Sequence, residues 1–238
     1  MNLILIEPGE LRDGGARLTG AQARHAIEVL RVTIGQEVRV GVIDGPRGTG
    51  RVTRLDGEAV ELTCVFDNTP PPVPDIDLLL ALPRPKVMRR LWAQLAAMGV
   101  GRIILTNASR VERNYFDTHV LNPEVYRPLL VEGMQQAQDT RLPRVSIHRR
   151  FKPLVEDELD GLCPDAARLV AHPAEGGAPL AWPGGASRVL MAIGPEGGWD
   201  NYEVGLLAAH GFAPVRLGPR TLRTDTACIA LLAALSRR

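Results

Sequence analysis

Short apolar runs separated by turn residues fill the first part of the chain. Leu3 to Ile6 is apolar, and the spacing of apolar residues from Thr19 to Arg31 predicts a helix capped by Thr19. Three partly alternating runs follow, separated by turn chemistry: Glu37 to Ile43, Gly50 to Leu55 and Ala59 to Phe66. Short strands joined by tight turns predict a small barrel.

A proline-rich segment then changes the pattern. The run from Asp67 to Pro74, DNTPPPVP, excludes helix and central strand and favours a stiff extended linker. We therefore predict two domains, residues 1–70 and residues 71–238.

Beyond the linker, apolar strand-like runs alternate with helical patterns. The predicted strands are Ile76 to Leu82, Arg102 to Thr106, Val145 to His148, Arg168 to Ala171, Val189 to Ile193 and Ala213 to Leu217. The predicted helices are Pro85 to Met98, Pro123 to Gln138, one from Pro153, one opened by a capping box from Asp200 to Glu203, and one from Thr224. This alternation predicts an α/β domain with a mainly parallel sheet.

Two glycine-bearing turns follow the last two apolar runs. The first is Gly194 to Gly198, GPEGG, and the second begins at Gly218. Ligands of open α/β sheets bind beyond the carboxyl ends of strands, so two such ends predict one small-molecule site. The first turn lacks the Gly-Lys-Ser/Thr of a phosphate loop and is not G-x-G-x-x-G. After the second turn, Thr224 is predicted to cap a helix, to serve the site, or to do both.

Composition adds little to this picture. The 238 residues carry a formal net charge of only +1, so bulk charge does not indicate a nucleic-acid partner. The widely spaced Cys64, Cys163 and Cys228 predict free thiols in a reducing compartment, and His119, His148 and His210 show no metal-ligand spacing. No signal peptide or long apolar span is recognised, so we expect a cytosolic protein without a membrane partner. From the cysteine and histidine spacing we also expect no metal.

A local basic patch is more informative. The run Arg84, Lys86, Arg89 and Arg90 begins where the first strand of the sheet ends. Such runs are often solvated helix faces, but this position favours contact with RNA phosphates. Arg110 and Arg113 extend the patch, while core packing is the favoured role for Tyr115 and Phe116 over base stacking.

The two glycine turns, in the stretches IGPEGG at 193–198 and LGPRTLRTDTA at 217–227, closely resemble a known signature. It is that of the SPOUT methyltransferases, and specifically of the ribosomal RNA small subunit methyltransferase E group. The resemblance extends over nearly the whole chain. Its further landmarks are Arg24-His25 with Val29-Leu30-Arg31 and Gly35, Leu82 to Lys86, Gln135 to Pro143, and Ala171-His172-Pro173.

This resemblance implies a fold and an activity. The fold is an α/β, SPOUT-type, trefoil-knotted and mainly parallel sheet domain preceded by a small PUA-like β-barrel. The activity is S-adenosylmethionine-dependent methylation of uracil N3 of a uridine in 16S ribosomal RNA of the small ribosomal subunit, by a homodimer without a metal. Two alternatives stay open: a non-catalytic RNA-binding protein that retains the fold, and a nucleotide-dependent enzyme whose glycine turns bind phosphate.

The resemblance also assigns roles to residues. Arg223 is the candidate for electrostatic stabilisation of the uracil anion, and Glu196 and Asp225 are candidate bases. The predicted cofactor-binding residues are Ala171, His172, Ile193, Gly194, Pro195, Glu196, Gly197, Gly198, Leu217, Gly218, Arg220, Leu222 and Arg223. The predicted RNA-binding residues are His25, Arg31, Arg84, Lys86, Arg89, Arg90, Arg110 and Arg113. The chain departs from the family pattern at Gln94, Ala97, Gln135, Asp139 and Asp225, where most members carry Glu in place of Asp225.

Overall fold

The computed structural model describes residues 3–12, 14–172 and 177–236. By its contacts the chain divides into two compact units, one of residues 1–73 and 131–142 and the other of residues 74–130 and 143–238. Compactness does not by itself define an independently folding domain, so the predicted border at residue 70 stays a prediction.

The first unit is built on a curled, half-barrel sheet of six strands in the order β1-β4-β5-β6-β3-β2. Strand β1 is parallel to β4, and the other neighbours are antiparallel. Alternate residues such as Leu18, Val40 and Val60 bury one face of the sheet in a common core. The strands are β1 (Ile4–Ile6), β2 (Leu11–Arg12), β3 (Gly15–Thr19), β4 (Glu37–Val42), β5 (Arg47–Leu55) and β6 (Ala59–Phe66).

The first helix is shorter than its apolar pattern predicts. Helix α1 (Gly20–Arg24) continues as a π-helical turn, His25–Val29. Arg31 then adopts a φ of 50°, which a helix cannot continue. Thr19 does stand at the N-cap, but its side chain makes no capping hydrogen bond to the described residues.

The second unit contains a seven-stranded sheet in the order β11-β13-β10-β12-β7-β8-β9, in which each described neighbouring pair is parallel. Every residue of β7 and β12 is buried, as their continuous apolar runs predict. The strands are β7 (Ile76–Ala81), β8 (Arg102–Thr106), β9 (Arg144–His148), β10 (Ala167–Ala171), β11 (Ala178–Pro179), β12 (Val189–Ile193) and β13 (Ala213–Arg216).

Helices connect these strands. They are α2 (Pro85–Ala97), α3 (Pro123–Ala137), α4 (Phe151–Pro153), α5 (Leu159–Leu162), α6 (Asn201–Ala209) and α7 (Thr224–Leu235). The predicted capping box of α6 is confirmed, because Asp200 and Glu203 each accept the other's backbone N–H at 2.8 Å. The predicted start of α7 at Thr224 is confirmed, but of the roles left open for Thr224 the cap is not observed, because Arg223 is the N-cap and Thr224 is the first helical residue. Among the described residues, no helix has the length and apolar character that a membrane span requires.

An ion pair between a buried carboxylate and a partly exposed arginine joins β7 to the start of β12. Asp77, in β7, is only 1% exposed, and its Oδ2 accepts a hydrogen bond from Arg188 Nη1 at 2.8 Å, just before β12. Cys163 Sγ lies 3.5 Å from the same oxygen, and burial together with that carboxylate raises the pKa of the thiol to about 12. All three cysteines are free and buried, as predicted.

Arg188→Ala should therefore lower the free energy of unfolding by about 3 kcal/mol, because it leaves the Asp77 carboxylate buried without its cation. Lys152→Ala, which breaks a solvent-exposed pair with Glu156, should cost less than about 1 kcal/mol. Chemical denaturation of both variants measures the difference. Equal costs would contradict the role given to the pair of Asp77 and Arg188.

Candidate active site

The carboxyl ends of three neighbouring strands meet at one edge of the parallel sheet. Strand β10 pairs with both β12 and β13, so the residues that follow these three strands lie side by side. His172 follows β10, Gly194 follows β12 and Leu217 follows β13. They surround a cleft that is open to solvent at its mouth.

The cleft contains every predicted cofactor-binding residue except Gly197 and Arg223. Arg223 is exposed at the cap of α7, and Gly197 is exposed in the loop of residues 194–198, hereafter the glycine loop. Pro173, one of the landmarks of the resemblance, lies outside the described residues. Thr224, for which a role in the site was one of the open predictions, also lines the cleft. The structure adds lining residues that the sequence did not indicate: Trp199, Val215, Arg216, Thr221, Ala227 and Leu231.

Close contacts explain why glycines are needed in this loop. A Cβ on Gly194 would lie 3.1 Å from the backbone nitrogen of Trp199, and one on Gly197 would lie 2.9 Å from Cδ of Arg110. Gly198 adopts a φ of 72°, which side chains rarely tolerate. The loop is also joined to α7, because Thr224 Oγ1 donates to the carbonyl oxygen of Gly194 at 3.4 Å.

The two candidate bases occupy different environments. Glu196 lines the cleft and is exposed, and its Oε1 accepts the backbone N–H of Arg84 at 3.2 Å. Its Oε2 has no partner among the described residues. Asp225 does not line the cleft, because its Oδ2 pairs with Arg90 at 3.0 Å and its Oδ1 accepts the N–H of Thr226 at 2.9 Å. Glu196 is therefore the carboxylate available to a ligand.

A third carboxylate, Glu203, is only 3% exposed and serves a structural purpose. Its Oε1 accepts the N–H of Ser109 at 2.7 Å, and its Oε2 accepts the N–H of Asp200 at 2.8 Å. The backbone N–H of Glu203 and the side chain of Ser109 in turn lower the pKa of Asp200. Glu203 thus joins the loop after β8 to the first turn of α6.

Basic residues surround the same edge of the sheet. Arg84 caps α2, and Lys86, Arg89 and Arg90 are exposed on the first turns of that helix. Arg110 and Arg113 are exposed in the loop after β8. The remaining predicted RNA-binding residues, the half-buried His25 and the exposed Arg31, belong to the other compact unit.

The two aromatic residues beside the basic patch, Tyr115 and Phe116, contact other parts of the protein. Phe116 is buried, and the hydroxyl of Tyr115 donates to Glu112 at 2.9 Å, which agrees with packing rather than base stacking. Within the described ranges, no group of three or more His, Cys, Asp or Glu side chains is arranged to hold a metal ion.

Comparison with known families now identifies the chain. A family model described as an RNA methyltransferase domain matches residues 69–236, and one described as an RNA methyltransferase PUA domain matches residues 18–63. The chain belongs to the RNA methyltransferase family. The predicted family and fold class are thereby confirmed, while the trefoil knot and the homodimer stay predictions.

Individual relatives agree with this assignment along the whole chain. Ribosomal RNA small subunit methyltransferase E of Treponema pallidum is 28% identical over 242 residues, which cover 99% of this chain and 90% of the relative. The protein of the same name from Synechocystis sp. is 29% identical, over 98% of this chain and 76% of its own length. The Neisseria gonorrhoeae enzyme of that name, solved bound to S-adenosyl methionine, has a similar fold with a TM-score of 0.82 at 22% identity, over 98% of this chain and 96% of the other.

Glu203→Gln should lower the free energy of unfolding by about 1 to 3 kcal/mol, because the amide would turn an N–H group toward one of two backbone donors. Glu124→Gln, on the exposed first turn of α3, is the matched control and should cost less than about 0.5 kcal/mol. Thermal or chemical denaturation compares the pair. A Glu203→Gln variant as stable as the control would show that the buried carboxylate does not join the two segments.

Proposed function

We propose that this RNA methyltransferase transfers a methyl group from S-adenosylmethionine to N3 of a uridine in 16S ribosomal RNA of the small ribosomal subunit. The observation that carries the proposal is the cleft where β10, β12 and β13 end, which contains both glycine-bearing turns. The family of the chain and the names of its full-length relatives support the substrate class. Because the proposed substrate is ribosomal RNA, we expect the protein to act in the cytoplasm. We also expect it to work as a homodimer.

The residues of the cleft fit this cofactor better than they fit a nucleotide phosphate. Ile193, Leu217 and Leu222 offer apolar walls for an adenine ring, and the backbone of the two loops offers partners for its edge. No lysine stands among the described lining residues. Two buried polar atoms of the lining, His172 Nδ1 and Trp199 Nε1, lack hydrogen-bond partners within the described chain. Such orphaned groups are uncommon in native proteins except where function retains them.

The chemistry requires a deprotonated acceptor. When bound, S-adenosylmethionine supplies an electrophilic methyl carbon. Uracil N3 carries a proton and is a poor nucleophile until that proton leaves. Glu196 takes the proton, since its Oε1 is held by the N–H of Arg84 and its Oε2 is available at the cleft.

Arginines stabilise the negative charge that develops on the uracil. Arg220 lines the cleft, and Arg223 stands at the cap of α7 on the same loop. Each guanidinium can pair with a uracil oxygen or with a flanking phosphate. Arg84, Lys86, Arg89, Arg110 and Arg113 bind the RNA backbone around this edge, and His25 and Arg31 contact RNA from the other unit. Arg90 contributes less to RNA binding, because its guanidinium is already paired with Asp225.

Glu196→Gln should lower kcat about 100-fold or more with little change in affinity for S-adenosylmethionine, because the amide still accepts the Arg84 N–H but cannot take a proton. Asp225→Asn is the matched control and should retain kcat within about five-fold, since Asp225 is committed to Arg90. Single-turnover methylation of 16S RNA measures both rates. The reverse order of effects would transfer the role of base to Asp225.

The proposed product can be sought directly by nucleoside analysis of 16S RNA from cells that lack the protein. We expect one N3-methyluridine to be missing and to return when the wild-type gene, but not the Glu196→Gln variant, is restored. Retention of every methyluridine would contradict the activity. If the protein bound 16S RNA without methylating it, the non-catalytic alternative would replace the proposal.

A further inference from the structure

Arg110 packs directly over the glycine loop. Its side chain is so close to Gly197 that a Cβ there would lie 2.9 Å from Cδ and 3.4 Å from Cβ of the arginine. The guanidinium Nη1 donates a hydrogen bond to the carbonyl oxygen of Gly197. Both the aliphatic part and the guanidinium group of Arg110 therefore contact the glycine loop, which lines the cleft.

The backbone that carries Arg110 is itself fixed. Its neighbour Ser109 donates its N–H to Glu203, a carboxylate only 3% exposed, whose other oxygen accepts the N–H of Asp200. Asp200 follows the glycine loop by two residues and caps α6. The segment of Arg110 and the segment of the glycine loop are thus joined twice, by Glu203 and by the bond of Arg110 to Gly197.

The other side of the guanidinium faces solvent. Arg110 is exposed, and its Nη1 bond to Gly197 uses one of the five N–H donors of the group. The remaining donors form no hydrogen bond with the described residues, and Arg110 belongs to the basic patch, where phosphate oxygens are the expected acceptors. One side chain can therefore bind the RNA backbone and the glycine loop at the same time.

We propose that Arg110 is a positioning residue that couples RNA docking to the cofactor loop. A phosphate bound to its outer donors restricts the guanidinium and, through Gly197, the loop. The cofactor then pays less conformational entropy on binding, and by thermodynamic reciprocity it strengthens RNA binding by the same factor. This inference rests on the proposed function. It gives Arg110, which is already assigned to RNA contact, a second role in holding the cofactor loop.

Arg150 provides a matched control. It carries the same charge, is exposed, and lies outside the residues assigned to the cofactor or to RNA. It stands at the N-cap of α4, where its side chain makes no capping hydrogen bond to the described residues. Methionine at either position retains an unbranched stem and removes the guanidinium.

The test is a calorimetric titration of S-adenosylmethionine into the wild type, Arg110→Met and Arg150→Met, each alone and with saturating transcribed 16S RNA. For the wild type we expect RNA to lower the Kd of the cofactor about five-fold or more. Arg110→Met should raise that Kd roughly three- to ten-fold without RNA, because the bond to Gly197 is lost, and should abolish the effect of RNA. Arg150→Met should match the wild type in both titrations, because within the described chain Arg150 forms no hydrogen bond with the glycine loop and is not one of the residues assigned to RNA.

The outcomes separate the inference from the function on which it rests. A wild type that binds no S-adenosylmethionine contradicts the proposed function and the inference together. A wild type that binds it, with Arg110→Met unchanged in Kd and in RNA effect, overturns the inference alone. Equal losses in both variants also overturn it, because they would reflect the loss of one positive charge and not the contact with Gly197.

Discussion

Parallel pairing of β10 with β12 on one side and β13 on the other is the constraint on which the site depends. Parallel strands end at the same edge of a sheet, so these pairings place three loops next to one another although 45 residues separate His172 from Leu217. The interior position of β12 explains its fully buried apolar run. Because β12 lies between β10 and β7, the glycine loop follows a strand that has a neighbour on each side. Without this order the two glycine-bearing turns would have no common ligand.

Three carboxylates near this edge have the same chemistry but different surroundings. Glu203 is buried and accepts two backbone N–H groups, which makes it part of the framework. Asp225 is neutralised by Arg90 and by the first turn of α7. Glu196 alone of the three lines the cleft with an oxygen free of partners among the described residues. Burial and pairing, not residue type, distinguish the structural carboxylates from the one that is available to a ligand.

Much of the second unit could be predicted from sequence because its signals are local. The limits of β8 and β12 and the capping box of α6 follow from apolar runs and cap residues. The cap of α7 was predicted one residue late, since Thr224 has the side chain of a cap but instead contacts the carbonyl of Gly194. In the first unit, strand β3 was missed, because its five residues lead directly into a segment with the pattern of a helix.

The cleft could be predicted only in part. The glycine turns indicated a site from sequence, but the cofactor and the residue roles came from a family resemblance. Val215 and Leu231 were missed because an apolar residue that lines a cleft has the same pattern as one in the core. Trp199 directly follows the glycine loop, and that adjacency was the available signal. The grouping of residues 131–142 with the first unit has no local signal, because it arises from contacts distant in sequence.

The most direct measurement of the central claim is a crystal structure of the protein soaked or grown with S-adenosylmethionine. The account predicts the ligand at the carboxyl ends of β10, β12 and β13, with its adenosine against the residues at 193–198 and 217–222 and its methyl group directed to the side of Glu196. The same crystal with those loops closed on each other, and the ligand absent or bound at another place, would contradict it.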